Sequence, residues 1–425
     1  MKIIHANFRD NWFKKKVAQA KAHQEKAYAE VNELIIEERI GKQLVLTDGS
    51  CITEFISCSY LGLDMDERLI ASVAADLKKF GVTFAAARTR ARVKNFVVLE
   101  ELLNKIFVDN YTVVFSALHL AHLGFFPLLA SGEMPSYPLK DNGVTFILDK
   151  TVHASIQINR GLLNQFGEVI LEDFQNLDAI EKIAQQVAAH DKTPIFIADS
   201  VGSMGGMLSI ESIAALAERY EGYAYLDDAH GMSIHGKNGC GYVLKCLEYK
   251  LPPRVIISTS LAKAFGTVAG VLVLPTRADM EMVKRFATTY IFGGPPPLAI
   301  ISSAIASAKI HLSPEITVFQ DRLWDNVQYF DSLFSTFGTN LINNTKLSPV
   351  RGILMGDEFK AIDTALQLRK MGFLVTTAMY PTVAKGHSLL RVAISAAHSK
   401  EDINHLYSAF KRALASIQFK TAVGY

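Results

Sequence analysis

"TPIFIADSVGSMGGMLSIESIAALAERYEGYAYLDDAHG", residues 193–231, is the stretch whose reading decides the fold. It opens on an apolar β-rich run and turns through glycines and serines. It then enters a segment where Ile213, Leu216 and Ala217 recur at helical spacing, and closes on a second β-rich run. Strand, helix, strand in that order is the unit of a parallel sheet wrapped by helices. The alternation continues on both sides, through "TVVFS", "VTFILD", "EVILED", "RVIISTS" and "GVLVLP". An α/β fold with a mostly parallel central sheet follows, and in such folds ligands collect beyond the carboxyl ends of the strands.

The flanks read differently. From about Asn11 to Glu38 the chain is charged and alanine-rich, which predicts a helix lying against the body or a partner subunit. The last hundred or so residues give a long helix from "PEITVFQDRLWDNVQYFDSLFSTFG", a strand from "LLRVAISAA", and a final helix. Ser399 and Asp402 fit a capping box for that last helix, with Asp in place of Glu. At 425 residues the chain exceeds what a single core supports. The expected organisation is an N-terminal helical segment over 1–45, a large domain over 46–300, and a small C-terminal α/β domain over 301–425.

Composition narrows the function classes. Hydrophobic residues make up 49% and charged residues 20%, with a net charge of +2, so neither nucleic acid nor an acidic membrane surface is implied as a partner. No segment offers about 18 uninterrupted apolar residues, and the start lacks a signal-peptide core. Cys51, Cys58, Cys240 and Cys246 form no CxxC pair and no ligand spacing, which suits free thiols in a reducing compartment. A soluble cytoplasmic protein is the expectation.

The chemistry begins at "STSLAKAFGTVAG", residues 258–270, where one lysine stands among small and apolar residues after a strand. Lys263 reads either as a solvated surface lysine or as a Schiff-base lysine for the aldehyde of pyridoxal 5'-phosphate (PLP). The second reading makes demands elsewhere. PLP needs a buried carboxylate for its pyridine nitrogen, and "YAYLDDAHG" offers Asp227 or Asp228 at a strand end, only one of which can face the ring. His230 could return to the same side and bond the phenolic oxygen. His153, just past "VTFILDK", could stack on the ring and handle protons. The phosphate needs N–H groups and hydroxyls. "VVFSALHLAHLGFF" runs from strand into helix at Ser116 to His119, and Ser203 and Ser260 are hydroxyl candidates. His119 and His122, at i and i+3, have no third ligand in sight, so no metal site is expected.

In order and spacing these segments resemble the α-oxoamine synthase family, fold-type I PLP enzymes that condense an amino acid with an acyl-CoA. The similarity runs over nearly all of the chain after about residue 45. "FISCSYLGLDMDERLI" resembles the family's "NYLGL" entry and "VHASI" its "NHASI". "DSVGSMGGMLSI" resembles "E-x-x-x-SMDGD", "LDDAHGMSIHGKNGCG" resembles "VDDAHATGVLGENGRG", and "GHSLLRVAISAAHSKEDI" resembles the C-terminal "LRLSLTAAH" segment. The resemblance implies a fold-type I PLP-dependent transferase whose large domain binds PLP. It makes Lys263 the Schiff-base lysine, Asp227 the pyridinium partner, His230 the partner of the phenolic oxygen and His153 the stacking residue. Ser203 and Ser260 then serve the cofactor, and Arg391 clamps the substrate carboxylate. A homodimer with shared sites is also implied.

The chain departs from the family at three loops. "SALHLAH" stands for "SGYAAN", putting Leu118 in place of a glycine and His119 in place of an aromatic residue beside the phosphate. "FAAARTRARVKN" stands where the family carries "GSGGSR…GTH". "YIFGGPPPLA" brings Gly293 and Gly294 where a partner subunit usually offers hydroxyls, so backbone N–H groups would substitute. "TSLAKAF" is similar to the bacterial synthases of α-hydroxyketone or aminoketone quorum-sensing autoinducers, which use a fatty acyl-CoA. Other α-oxoamine synthases such as 8-amino-7-oxononanoate synthase, a PLP aminotransferase, and a non-catalytic protein on the same scaffold are the alternative readings.

Overall fold

The structure is a computed structural model that describes residues 12–84 and 86–422. Two compact units form. One takes Cys58–Trp324 with Lys346–Ser348, and the other takes Asp325–Thr345 with the described residues of Met1–Ser57 and Pro349–Tyr425.

Three strands precede the large sheet: β1 (Ile36–Ile40), β2 (Gln43–Leu46) and β3 (Cys51–Glu54). The large unit then lays down β4 (Tyr111–Phe115), β5 (Val144–Asp149), β6 (Gly167–Glu172), β7 (Thr193–Asp199), β8 (Tyr223–Asp227), β9 (Val255–Ser260) and β10 (Gly270–Leu274). These seven form one sheet in the order β4-β10-β9-β8-β7-β5-β6. Every pairing is parallel except those of β10, which runs antiparallel to β4 and β9. Helices cover both faces, so the strands other than the edge strand β6 are buried on both sides and read as near-continuous apolar runs. Ile147, Phe196, Leu226 and Ile257 pack into one core, while Phe146, Ile197, Tyr225 and Ile256 pack into the other, as a period of two requires. The carboxyl ends of β4, β5, β7, β8 and β9 therefore open on the same edge.

The other unit holds β11 (Leu341–Ile342), β12 (Val350–Gly356), β13 (Phe373–Leu374), β14 (Thr376–Ala378) and β15 (Ser388–Ala393). Here β13 joins β1, β2 and β3 in one sheet, and the rest form the sheet β11-β12-β15-β14.

The partition differs from one drawn at residues 45 and 300. The parallel pairing of β13 with β3, Thr53 opposite Phe373, ties the N-terminal region to the C-terminal one. Lys26 bonds Asp363 at 2.7 Å and Arg369 bonds the carbonyl of Glu30 at 2.9 Å, which fixes the first helix on the same unit. That helix spans Trp12–Glu30 rather than reaching Glu38, because β1 begins at Ile36. The expectation over residues 1–11 lies outside the described residues. The helix Leu298–His311 sides with the large unit, packed on Glu67–Phe80 and Lys94–Ile106. The final helix, Lys400–Ala422, starts with the expected reciprocal cap: the Ser399 N–H donates to Asp402 at 2.8 Å, and the Asp402 N–H to the Ser399 hydroxyl at 3.0 Å. No helix among the described residues is long and apolar enough to cross a membrane.

Candidate active site

At the carboxyl edge of the large sheet lies a cavity of about 190 Å³, lined by Leu118, His119, His153, Ser155, Asp199, Val201, Asp227, Ala229, His230, Ser260 and Lys263. Its walls come from five strand ends. Lys263 is half-buried in the turn after β9, with its carbonyl accepting the Gly266 N–H at 2.9 Å.

The two neighbouring aspartates part company as alternation demands. Asp227, the last residue of β8, faces the cavity, and its Oδ1 accepts the Ala229 N–H at 2.9 Å. Asp228 turns the other way, taking the Ser200 hydroxyl and the Val243 N–H, the latter at 3.3 Å. Burial pushes the Asp228 carboxyl up to about 7, so near neutral pH it caps its loop with its protonated and charged forms both populated. The turn around it requires glycine: Gly241 sits at φ +101°, and a Cβ there would come 2.0 Å from the Asp228 carboxylate. Burial would push Asp227 up as well, but contact with His122 and the charge of Lys263 hold it below the ordinary carboxylate range.

A second carboxylate, absent from the sequence reading, shares the cavity. Asp199 ends β7 directly opposite Asp227 in the parallel register, and its oxygens lie 3.1 and 3.3 Å from the His153 N–H. Burial and the adjacent Asp227 charge raise its pKa well above the usual value, so the two carboxyls are pushed in opposite directions. The register could have revealed it, since "IAD" and "LDD" end consecutive strands.

His153 caps the short helix that follows β5 and bonds the Ser155 hydroxyl through Nδ1 at 2.8 Å. Partial enclosure lowers its pKa, keeping the imidazole neutral at pH 7. His230 bonds Tyr60 through Nδ1 at 2.8 Å, another pairing across the sequence that spacing did not reveal. Leu118 and His119 begin the helix Leu118–Ala130, whose N-terminus points its unpaired N–H groups at the cavity rim. That approach depends on Gly270, where a Cβ would lie 2.4 Å from the Leu118 backbone nitrogen. Ser260 lines the same end, its hydroxyl accepting the Ala262 N–H at 3.1 Å.

The structure thus brings Lys263, Asp227, His230, His153, Ser260, Leu118 and His119 together. Ser203 lies in the turn after β7, and Gly293 and Gly294 follow the helix Thr288–Phe292; none of the three lines the cavity. Arg391 belongs to β15 of the other unit, buried and paired in register with Gly352 and Thr376. Among the described residues no group of His, Cys, Asp or Glu could hold a metal ion.

The cavity fits PLP on its own chemistry. It offers an ionised carboxylate for a protonated ring nitrogen, an amine for an aldehyde, a neutral imidazole at the mouth, and a helix N-terminus with a hydroxyl for a phosphate. Residues 168–410 match the aminotransferase class I and II family. The 8-amino-7-oxononanoate synthase of Alkaliphilus oremlandii is 30% identical over 373 residues, covering 86% of this chain and 89% of that protein. The enzyme of the same name from Thermoanaerobacter pseudethanolicus is 27% identical over 383 residues, 89% of this chain and 91% of its own. In fold, the serine palmitoyltransferase of Sphingomonas wittichii superposes with a TM-score of 0.83 at 21% identity, over 94% of this chain and 98% of that one. The chain belongs to the aminotransferase class I and II family, and within it to the PLP-dependent acyltransferases of α-oxoamine synthase type.

Proposed function

We propose that the protein joins the α-carbon of an amino acid to the acyl carbon of an acyl-CoA, releasing CoA and then carbon dioxide to leave an α-aminoketone. The observation that carries this reading is the single cavity holding the Lys263 amine, the Asp227 carboxylate and the start of the helix Leu118–Ala130. PLP, when bound, supplies the electron sink for charge developing at the substrate α-carbon. Lys263 would hold the cofactor and, as a free amine, would be the base that takes the substrate α-proton and later returns one. Asp227 keeps the ring nitrogen protonated. His153 would stack on the ring, and His230, oriented by Tyr60, would bond the phenolic oxygen. The helix N-terminus at Leu118 and His119, with Ser260, binds the phosphate.

Three assignments rest on the resemblance. Ser203 serves the cofactor. Gly293 and Gly294 of a second copy complete the phosphate site in a homodimer. Arg391 receives the substrate carboxylate through its planar fork. The acyl donor is a fatty acyl-CoA and the product an autoinducer precursor, a reading supported by "TSLAKAF" and by the altered loops at 84–95 and 116–122. Free thiols at all four cysteines suit a cytoplasmic enzyme.

Mass spectrometry of products from a panel of amino donors and acyl-CoAs is the test. The expected result is CoA release with a fatty α-aminoketone as the preferred product. Preference for the chemistry that yields 8-amino-7-oxononanoate would place the chain with its curated relatives instead. A keto acid formed with no CoA release would make it an aminotransferase and overturn the proposal.

A further inference from the structure

His122 is fully buried on the helix Leu118–Ala130, one turn inside the end that opens on the cavity. Its ring is fixed from several sides. Nδ1 lies 2.7 Å from the Tyr225 hydroxyl, Phe126 stacks on it at 5.8 Å, and Tyr225 meets it edge-on at 5.7 Å. Burial pushes the Tyr225 phenol well above its usual pKa, so it remains a neutral O–H able to donate to Nδ1. That bond leaves the imidazole proton on Nε2. Nε2 in turn closes no hydrogen bond, and its facing oxygen is Asp227 Oδ2, 3.4 Å away. A buried N–H left open is costly, and a helix core has no need to place one there.

We propose that His122 is a positioning residue for the cofactor: its Nε2–H grips Asp227 Oδ2 and sets the plane and charge of the carboxylate that the PLP ring nitrogen meets. The proposal rests on Asp227 being the ring-nitrogen partner. The Ala229 N–H holds Oδ1 and His122 faces Oδ2, so the carboxylate is fixed between two donors with its remaining lone pairs free for the ring. A loose contact of this kind tightens once the bound ring pulls the carboxylate into line. Asp199, one strand away, accepts the His153 backbone N–H instead. His122 thereby distinguishes two adjacent carboxyls and makes Asp227 the one that stays ionised. The helix that presents its first N–H groups at the phosphate end also carries this imidazole one turn further in, so both ends of the cofactor are read by one rigid element.

The test loads the holoenzyme with PLP labelled with nitrogen-15 in the ring and follows the ring-nitrogen chemical shift against pH. The titratable groups facing Asp227 and His122 are Asp199 on β7, Asp149 and His153 at the end of β5, Tyr225 on β8, Lys263 after β9 and His119 on the same helix. Each is retained in every variant except where named. Wild type is expected to keep the nitrogen protonated through the neutral range. His122→Phe should lower the midpoint for proton loss by about one pH unit and weaken PLP binding about tenfold. His122→Gln, which returns an N–H, should recover most of both effects. Tyr225→Phe, which frees Nδ1 while leaving the imidazole in place, should give a smaller shift in the same direction. A midpoint in His122→Phe equal to wild type would overturn the proposal. If that variant does not fold, a midpoint in Tyr225→Phe equal to wild type would do the same. An unprotonated nitrogen in wild type would instead sink the assignment of Asp227.

Discussion

Two buried charged clusters, one in each unit, differ in how completely they are satisfied. In the unit with the two smaller sheets, Lys42 and Glu54 are both almost wholly buried, and the Lys42 ammonium reaches Glu54 at 2.8 Å and the Ser57 hydroxyl at 2.8 Å. The second Glu54 oxygen accepts the Ile56 N–H at 2.8 Å and the Ser57 N–H at 2.9 Å. His398, stacked 3.9 Å from Phe55, reaches the Glu54 carbonyl through Nε2 at 2.9 Å and accepts the Ser395 N–H through Nδ1. Each of these contacts is closed and well formed. The cluster at the ends of β7, β8 and β9 is different: one carboxyl is pushed toward its protonated form and its neighbour toward its charged form, an imidazole N–H is open and an amine faces a cavity. Closed pairing is what a structural ion pair needs. Open pairing is what a site needs if part of its bonding is reserved for a ligand.

The largest expected consequence lies in the open cluster. Asp227→Asn should leave the fold in place, still load at saturating PLP, and slow turnover by about 10²–10⁴-fold, because the ring nitrogen would lose the charge that keeps it protonated. Steady-state kinetics on the loaded variant measures it, and a loss under tenfold would remove Asp227 from the chemistry.

The closed cluster should report through stability instead. Burial would raise Glu54, but Lys42 and the surrounding N–H groups bring it to about 2, against 4.5 in the unfolded chain. A carboxyl depressed in the folded state contributes stability above pH 4.5 that is lost as pH falls toward 2, here about 3 kcal/mol. Denaturant unfolding at stepped pH should reveal that loss in wild type. Glu54→Gln should already lack the contribution at pH 7 and lose no more of it on acidification, while its bound-cofactor absorbance stays that of wild type. An altered absorbance would mean the two clusters are not independent.

Asp228→Asn should do least. Its carboxyl is raised to about 7, so the folded state favours the protonated form and stability declines as pH rises from about 4 toward 7. The amide removes that decline and should change turnover by less than about tenfold. If Asp228→Asn damaged turnover more than Asp227→Asn, the roles of the two neighbours would be exchanged.

The parts legible in the sequence are local or carried by contiguous motifs. The seven β-rich runs appear as β4 to β10, the Ser399–Asp402 cap forms, and Lys263, Asp227, His230 and His153 converge because each stands at or just beyond a strand end. Period-two alternation alone left Asp227 and Asp228 equivalent, since either could be the inward residue until the register was known. The parts that stayed hidden depend on long-range pairing. His122 suggested a weak i, i+3 pair with His119, and nothing near it in sequence pointed to Tyr225 or Asp227. Asp199 became a site residue only through its register with Asp227. The union of the N-terminal strands with β13 joins segments more than 300 residues apart, which no local pattern encodes.

The central claim is that Lys263 holds the cofactor. The PLP-loaded protein should be yellow, and borohydride reduction followed by peptide mass spectrometry should place the phosphopyridoxyl group on the peptide containing Lys263, with Lys263→Ala carrying no such label. Label on another lysine, or on none in a protein that has bound PLP, would contradict the account.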